Sequence, residues 1–413
     1  MSTQEKQVDV VIVGGGMVGA TLACALGDTA LKVILLEAGS GQHALPEQGF
    51  ELRVSAITRA SQRIFETLGV WEKICAYRVS PYRDMHVWDA TGAGVIHFDS
   101  AELGEANLGH IIENNVISLA LYERLSAFEN VEVITNSCTT QINITPENVS
   151  VTLKSGETIK SKLLIGADGS RSAIRQQFDI GVRGWDYDQT ALVTYVKTEK
   201  PHAETAWQRF LPSGPLAFLP LPENYSSIVW STAPEHAQQL LAMDDDTFCL
   251  ALGEAFEHTL GRIESTGPRA AFPLRFFIAN NFIGTRLALV GDAAHTIHPL
   301  AGQGVNLGLA DVASLAEVLL DAVAAGRDIG SNKVLRRYER WRRADSLSLF
   351  VAMDGIKRLF GSDVPALRWL RNLGLTLTHK AEPVKNHVVR SAMGLAGALP
   401  RLSKGLPLSG KSL

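Results

Sequence analysis

A chain of 413 residues, 46% hydrophobic and 20% charged, is long enough for a large core and two interlocked domains, and it contains no low-complexity tract. Its four cysteines (Cys24, Cys75, Cys138, Cys249) have neither CxxC nor metal-type spacing, so zinc and a disulfide framework are not expected and reduced cytoplasmic thiols are. The net charge of −4 conceals an asymmetry: residues 331–413 carry 16 Lys and Arg against 5 Asp and Glu, leaving −15 on residues 1–330.

The first residues, MSTQEKQVD, lack the basic start of a signal peptide. Val8–Val13 is a run of mostly β-branched residues, the pattern of a buried parallel strand. It enters Gly14-x-Gly16-x-x-Gly19, then an apolar helical stretch to Leu26, then a second buried strand over Leu31–Leu36 with Glu37 at its end. This βαβ unit is the dinucleotide fingerprint in context. Gly14 makes the turn, Gly16 admits a pyrophosphate, Gly19 packs helix on strand, and a carboxylate at Glu37 can accept from ribose hydroxyls. The helix N-terminus favours the phosphates.

Residues 51–76 read as helix, 81–98 as strands, 114–128 as helix, and 131–135, 149–153 and 157–165 as strands. Leu163–Gly166 runs into Ala167-Asp168-Gly169, and Leu287–Val290 into Gly291-Asp292. A carboxylate at each strand end can accept hydrogen bonds from a ribityl chain, which selects FAD over a nicotinamide dinucleotide. Between them, 181–275 alternates in β fashion around Pro/Gly turns. After Asp292, the segment His298-Pro299-Leu300-Ala301-Gly302-Gln303-Gly304-Val305-Asn306 precedes a helix that includes Asp311. Its glycines let backbone N–H groups approach a flat ligand, and Pro299 can wall one side of it.

The expected fold is α/β: a Rossmann-like FAD-binding domain (1–180 and 276–345), an inserted β-rich substrate domain (181–275, with 76–100 as a candidate addition) and a helical, basic C-terminal region (346–413). Within the last, Asp354–Arg371 mixes Ile356, Phe360 and Trp369 with Lys357, Arg358, Arg368 and Arg371. That pattern points to an anionic membrane surface or a protein partner, with truncation after about residue 375 expected to spare FAD binding. Nucleic acid is not expected, because stacking aromatics do not interleave the cations.

At these motifs the chain resembles the flavoprotein aromatic hydroxylases related to p-hydroxybenzoate hydroxylase, and His298 to Asp311 is similar to the signature of the ubiquinone-biosynthesis hydroxylases. The likeness extends to Glu51–Ala56, Leu108–Asn114 and Leu335–Arg340. It implies an NAD(P)H- and O₂-dependent monooxygenase that hydroxylates a polyprenylated phenol through a flavin C4a-hydroperoxide, C5 of a 2-polyprenylphenol being the position indicated. NAD(P)H would visit transiently, since no second GxGxxG occurs; the absence of Cys-x₄-Cys and Trp-x-Trp disfavours a disulfide reductase and a halogenase. It places Gly14, Gly16, Gly19 and Glu37 at the ADP half of FAD, Arg53 toward the flavin side, Asp168 and Asp292 on the chain between, and Gly302, Gly304, Val305 and Asn306 along the isoalloxazine. Where several relatives have an FAD-contacting Arg, this chain has Ser118.

Catalytic side chains are not identified by the motifs; His298 and Pro299 are the candidates, with His295 a further histidine that could act as base. Trp185, Tyr187, Tyr195, Trp207 and Trp230 either pack the β domain or line a pocket. A membrane-facing role would make the protein cytoplasmic but peripheral at the inner membrane face. A flavin reductase on the same scaffold, or a flavoprotein that organises other ubiquinone-biosynthesis proteins through the basic region, are the competing functions.

Overall fold

The computed structural model describes residues 5–92, 94–296, 304–345, 390–391 and 393–408. After β1 (Glu5–Gln7), the apolar run β2 (Val10–Val13) turns through the glycines into α1 (Met17–Leu26) and out to β3 (Val33–Leu36). All four residues of β3 are buried, as a strand covered on both faces must be. Residues 51–76 are not one helix. Val54–Thr58 forms β4, α2 (Arg59–Thr67) starts after it with the Thr58 side chain accepting from Ser61 N–H, and α3 (Trp71–Tyr77) follows. The β-branched residues and the Thr cap are the local signals for that break.

Next come β5 (Ser80–Tyr82), β6 (Asp84–Asp89), β7 (Val95–Asp99), β8 (Gly109–Glu113) and α4 (Asn114–Leu125). Strands β9 (Val131–Ile134), β10 (Thr139–Ile144), β11 (Val149–Leu153), β12 (Thr158–Ser161) and β13 (Leu163–Gly166) precede the short α5 (Ala173–Gln177). The 17-residue β14 (Val182–Thr198) opens a meander with β15 (Thr205–Leu211), β16 (Gly214–Pro220) and β17 (Tyr225–Thr232). This stretch is less uniformly β than its alternation predicts. It holds α6 (Pro234–Ala242), with Pro at its first turn, and α7 (Asp245–Ala255), capped by Asp244 on Thr247 N–H. After β18 (Ile263–Thr266) and β19 (Ala270–Ala279) come β20 (Ile283–Gly284), β21 (Leu287–Leu289), β22 (His295–Thr296), α8 (Gly304–Ala324) and a helix α9 over 332–345.

Four sheets result. A six-stranded sheet, ordered β20-β21-β13-β2-β3-β9, carries the glycine turn and both Asp-bearing strand ends at one edge of its parallel core. A nine-stranded sheet runs β22-β19-β14-β17-β16-β15-β6-β7, with β18 on β14, so 84–99 share the sheet with 182–279. The three-stranded β4-β8-β5 sheet packs beside the larger one, and β1-β12-β11-β10 makes the fourth.

Residues 393–408 pack against the core. Met393 and Leu408 are 2% exposed and Leu402 is fully buried; the Met393 carbonyl accepts from Ala60 N–H, and Glu317 accepts from Arg401 N–H. A truncation after residue 375 would therefore strip packed side chains as well as cations, at a cost in stability. The amphipathic stretch Asp354–Arg371 lies outside the described residues.

Candidate functional site

The turn after β2 is built by close approach. Gly14 has φ +106°, and a Cβ there would sit 2.4 Å from the Ala167 carbonyl oxygen; one on Gly19 would sit 1.9 Å from the Gly14 oxygen. Gly16, the N-cap of α1, differs: a Cβ there meets nothing within 4 Å. The space in front of the helix N-terminus is open where a phosphate would be received. Glu37 lies at the tip of β3, its carboxylate accepting from Gly15 N–H (2.6 Å) and Gly39 N–H (2.7 Å). Lone pairs remain on both oxygens for a ribose. The Tyr122 hydroxyl donates to the Gly15 carbonyl from α4, a support that no motif announced; Ser118, one turn earlier on α4, is buried.

Asp168, just past the tip of β13, uses one carboxylate oxygen to accept from Ile174 N–H at 3.1 Å. Its Oδ1 is buried with no partner, a costly arrangement unless a ligand hydroxyl satisfies it. Asp292 is solvent-accessible, with protein groups close around its carboxyl. Burial raises its carboxyl above the ordinary value, with His295 and Arg53 opposing the rise. Arg53 is exposed, lies 5.9 Å from the Phe272 ring and is close enough for its charge to act on Asp292. An orphaned carboxylate oxygen and an open helix N-terminus are what an FAD ribityl chain and pyrophosphate require, so the residues present fit the cofactor.

His295 is no base for an incoming phenol. It is 3% exposed, and its Nε2 is 2.6 Å from Asp311 Oδ2. Asp311 also accepts from Gly291 N–H and, on its other oxygen, from Arg342 Nε of α9. Burial would raise the Asp311 carboxyl, but the charges and hydrogen bonds of His295 and Arg342 outweigh it and hold it below the usual range. This buried triad anchors the Gly291-Asp292 turn. Arg175 braces the turn from α5 by donating to the carbonyls of Ala293 and Ser170. Asp311, Arg342 and Arg175 were missed as site supports because the contacts His295–Asp311, Arg342–Asp311 and Arg175–Ala293 span 16, 31 and 118 residues of sequence.

Gly304, Val305 and Asn306 form the first turn of α8. The Asn306 side chain is tied to β4, donating to the Ala56 carbonyl at 2.7 Å and accepting from Thr58 N–H at 3.0 Å. His298, Pro299 and Gly302 lie outside the described residues. Beside Ala56, between the three- and nine-stranded sheets, is a cavity of about 20 Å³ whose wall includes Tyr82, Ile111, Ala206, Gln208 and Leu219. Trp230 lies elsewhere. It is packed with Phe218, Leu240 and Phe248 on the far face of the nine-stranded sheet, which settles it as core. Among the described residues no cluster of three or more metal-ligand types occurs, and no helix is long and apolar enough to cross a membrane.

The family profile described as an FAD binding domain matches residues 7–349. Ubiquinone hydroxylase UbiL of Rhodospirillum rubrum is 39% identical over 407 residues, covering 98% of this chain and 94% of that one. The 3-demethoxyubiquinol 3-hydroxylase of Escherichia coli is 38% identical, covering 94% and 99%. The mitochondrial ubiquinone biosynthesis monooxygenase COQ6 of Homo sapiens is 38% identical, covering 93% and 92%. Among solved structures, p-nitrophenol 4-monooxygenase PnpA from Pseudomonas putida superposes with a TM-score of 0.78 at 21% identity, covering 95% of this chain and 99% of that one, a likeness of fold.

Proposed function

The chain belongs to the FAD-binding monooxygenases and, within them, to the hydroxylases of ubiquinone biosynthesis, and from that premise we propose that it hydroxylates the ring of a polyprenylated phenol, with NAD(P)H and O₂ as co-substrates. Bound FAD supplies the activation of O₂ at the expense of NAD(P)H. Gly14, Gly16 and Gly19 with the N-terminus of α1 would receive its pyrophosphate, and Glu37 its ribose. Asp168, through the free Oδ1, and Asp292 would accept from the ribityl chain, with Arg53 close to Asp292. The backbone of Gly304, Val305 and Asn306 would follow the ring edge; the resemblance extends that line to Gly302 and puts His298 and Pro299 beside it.

The observation that carries the substrate reading is the apolar seam between the two sheets, which meets α8 at the Ala56–Asn306 hydrogen bonds. A greasy seam excludes water from the reacting ring and suits a prenylated substrate. The test is turnover of holoenzyme with a prenylated phenol under ¹⁸O₂, with one labelled oxygen expected in the product. NAD(P)H oxidation without incorporation would return the protein to a reductase. Ring position is a separate question. Accumulation of 2-polyprenylphenol in a deletion strain supports C5, whereas accumulation of a later precursor supports the kind of step for which the Escherichia coli relative is named.

The excess of cations in residues 331–413 supports docking on an anionic bilayer surface. The full chain is expected to bind anionic liposomes at low salt and release them at high salt. Indifference to such liposomes would leave a protein partner as the reading of that charge.

A further inference from the structure

The cavity between the two sheets is apolar along most of its wall, where Ala56, Met85, Ile111, Ala206 and Leu219 meet. Two residues break the pattern. Tyr82 on β5 and Gln208 on β15 both line it, 8% and 6% exposed. Strand alternation puts Gln208 on the same face as Ala206, pointing at the three-stranded sheet. Neither the Tyr82 hydroxyl nor the Gln208 side-chain amide hydrogen-bonds to a described residue, and neither is sealed inside the protein.

Polar atoms that make no hydrogen bond to a described residue and remain accessible are free to pair with a ligand in the cavity. Proteins retain such groups where a ligand pairs with them. At about 20 Å³ the cavity has room for a water-sized group, so the ring of a substrate bound in the seam would lie outside it. What enters it is therefore a substituent. Burial pushes the Tyr82 hydroxyl up to about 12, so it stays protonated and serves as a donor, never as a base. The Gln208 amide offers both a donor and an acceptor.

We infer that Tyr82 and Gln208 hydrogen-bond an oxygen substituent on the aromatic substrate and thereby decide which edge of the ring is presented for hydroxylation. This rests on the reading that the ring binds in the seam between the two sheets. It makes the pair specificity-determining: an oxygen held at one end of the ring fixes the carbon at the other.

The test uses holoenzyme carrying Tyr82→Phe or Gln208→Leu, both close in volume to the native side chain. The probes are a short-chain prenylated phenol and the same prenylated benzene without the hydroxyl, with binding read from perturbation of the flavin absorbance. Each variant is expected to bind the phenol about tenfold more weakly, to bind the deoxy probe as the wild type does, and to release more peroxide per NAD(P)H. Each should melt close to the wild-type temperature, because neither polar atom makes a hydrogen bond to a described residue. Variants that discriminate between the probes as the wild type does, while the wild type hydroxylates the phenol, overturn this inference alone. Equal losses on both probes with a lower melting temperature make the pair structural and also overturn it. Wild-type protein that responds to neither probe overturns the seam as the ring site, and the pair's role with it.

Discussion

The two faces of the nine-stranded sheet are made from alternate residues of the same strands, yet they differ in kind. Toward α6 and α7 the strands send Leu192, Leu216, Phe218, Ile228 and Trp230, which close on Leu240, Phe248, Leu252 and Phe256. Toward the three-stranded sheet they send Ala206, Gln208, Ala217 and Leu219, and a cavity is left. Aromatic and branched side chains on one face complete a core; on the other, Ala206 and Ala217 stand among the larger residues and space is left. The glycine turn divides in the same way, with Gly19 closed against the Gly14 carbonyl and Gly16 open in front of a helix end. The candidate sites of this protein lie where packing has been withheld.

Four experiments would break or sharpen that contrast. On the closed face, Phe218 stacks on Phe256 with ring centroids 3.8 Å apart. Phe218→Ala is expected to cost about 3–5 kcal/mol in denaturant unfolding. A loss under 1 kcal/mol would mean that the face is not a closed core.

The contrast recurs in two consecutive residues of β8. Ile111 lines the cavity, while His110 is buried against Trp71 with ring centroids 4.9 Å apart. Burial, aided by the Arg59 charge, pushes the His110 imidazole down to about 4 from 6.5. The unfolded chain takes up that proton first as pH falls. Stability contributed by neutral His110 is thus complete above pH 6.5 and is lost on going down to pH 4, by about 3 kcal/mol. His110→Leu should flatten that limb of the stability–pH curve. An unchanged slope would show that His110 is not held neutral.

At the open end of the glycine turn, Gly16→Val is expected to leave a folded protein that binds FAD at least about tenfold more weakly, a loss of about 1.4 kcal/mol, and purifies without colour. Full flavin absorbance in that variant would remove the loop from the cofactor site. The smallest change in stability is expected in the cavity. Ala206→Val fills space there and should shift stability by about 1 kcal/mol in either direction while hydroxylation coupled to NAD(P)H oxidation falls. Undiminished coupling would detach the cavity from the substrate.

The nucleotide end of this fold was legible because its demands are local. A turn that closes only without Cβ atoms, a helix that starts at its end and a carboxylate at the next strand tip all fall between Val8 and Glu37. Asp168 and Asp292 were legible as strand-end residues for the same reason. Local reading failed where a short strand abuts a helix, as at Val54–Thr58 before Arg59, and where two helices with readable caps at Pro234 and Asp244 lay inside a stretch that alternates like strand.

The sequence by itself determined the cofactor class, the buried parallel strands and the division of charge along the chain, since each is carried by neighbouring residues. Only the tertiary structure decided that His295 belongs to Asp311 and Arg342, that Trp230 is core, that Asn306 ties α8 to β4, and that the chain end returns to pack on α2. It also decided that Tyr82 and Gln208, 126 positions apart, share one cavity. The reason is that a side chain's role depends on which face of its strand is covered and by what. Alternation in one strand states that two faces exist, but not which neighbour will close either of them.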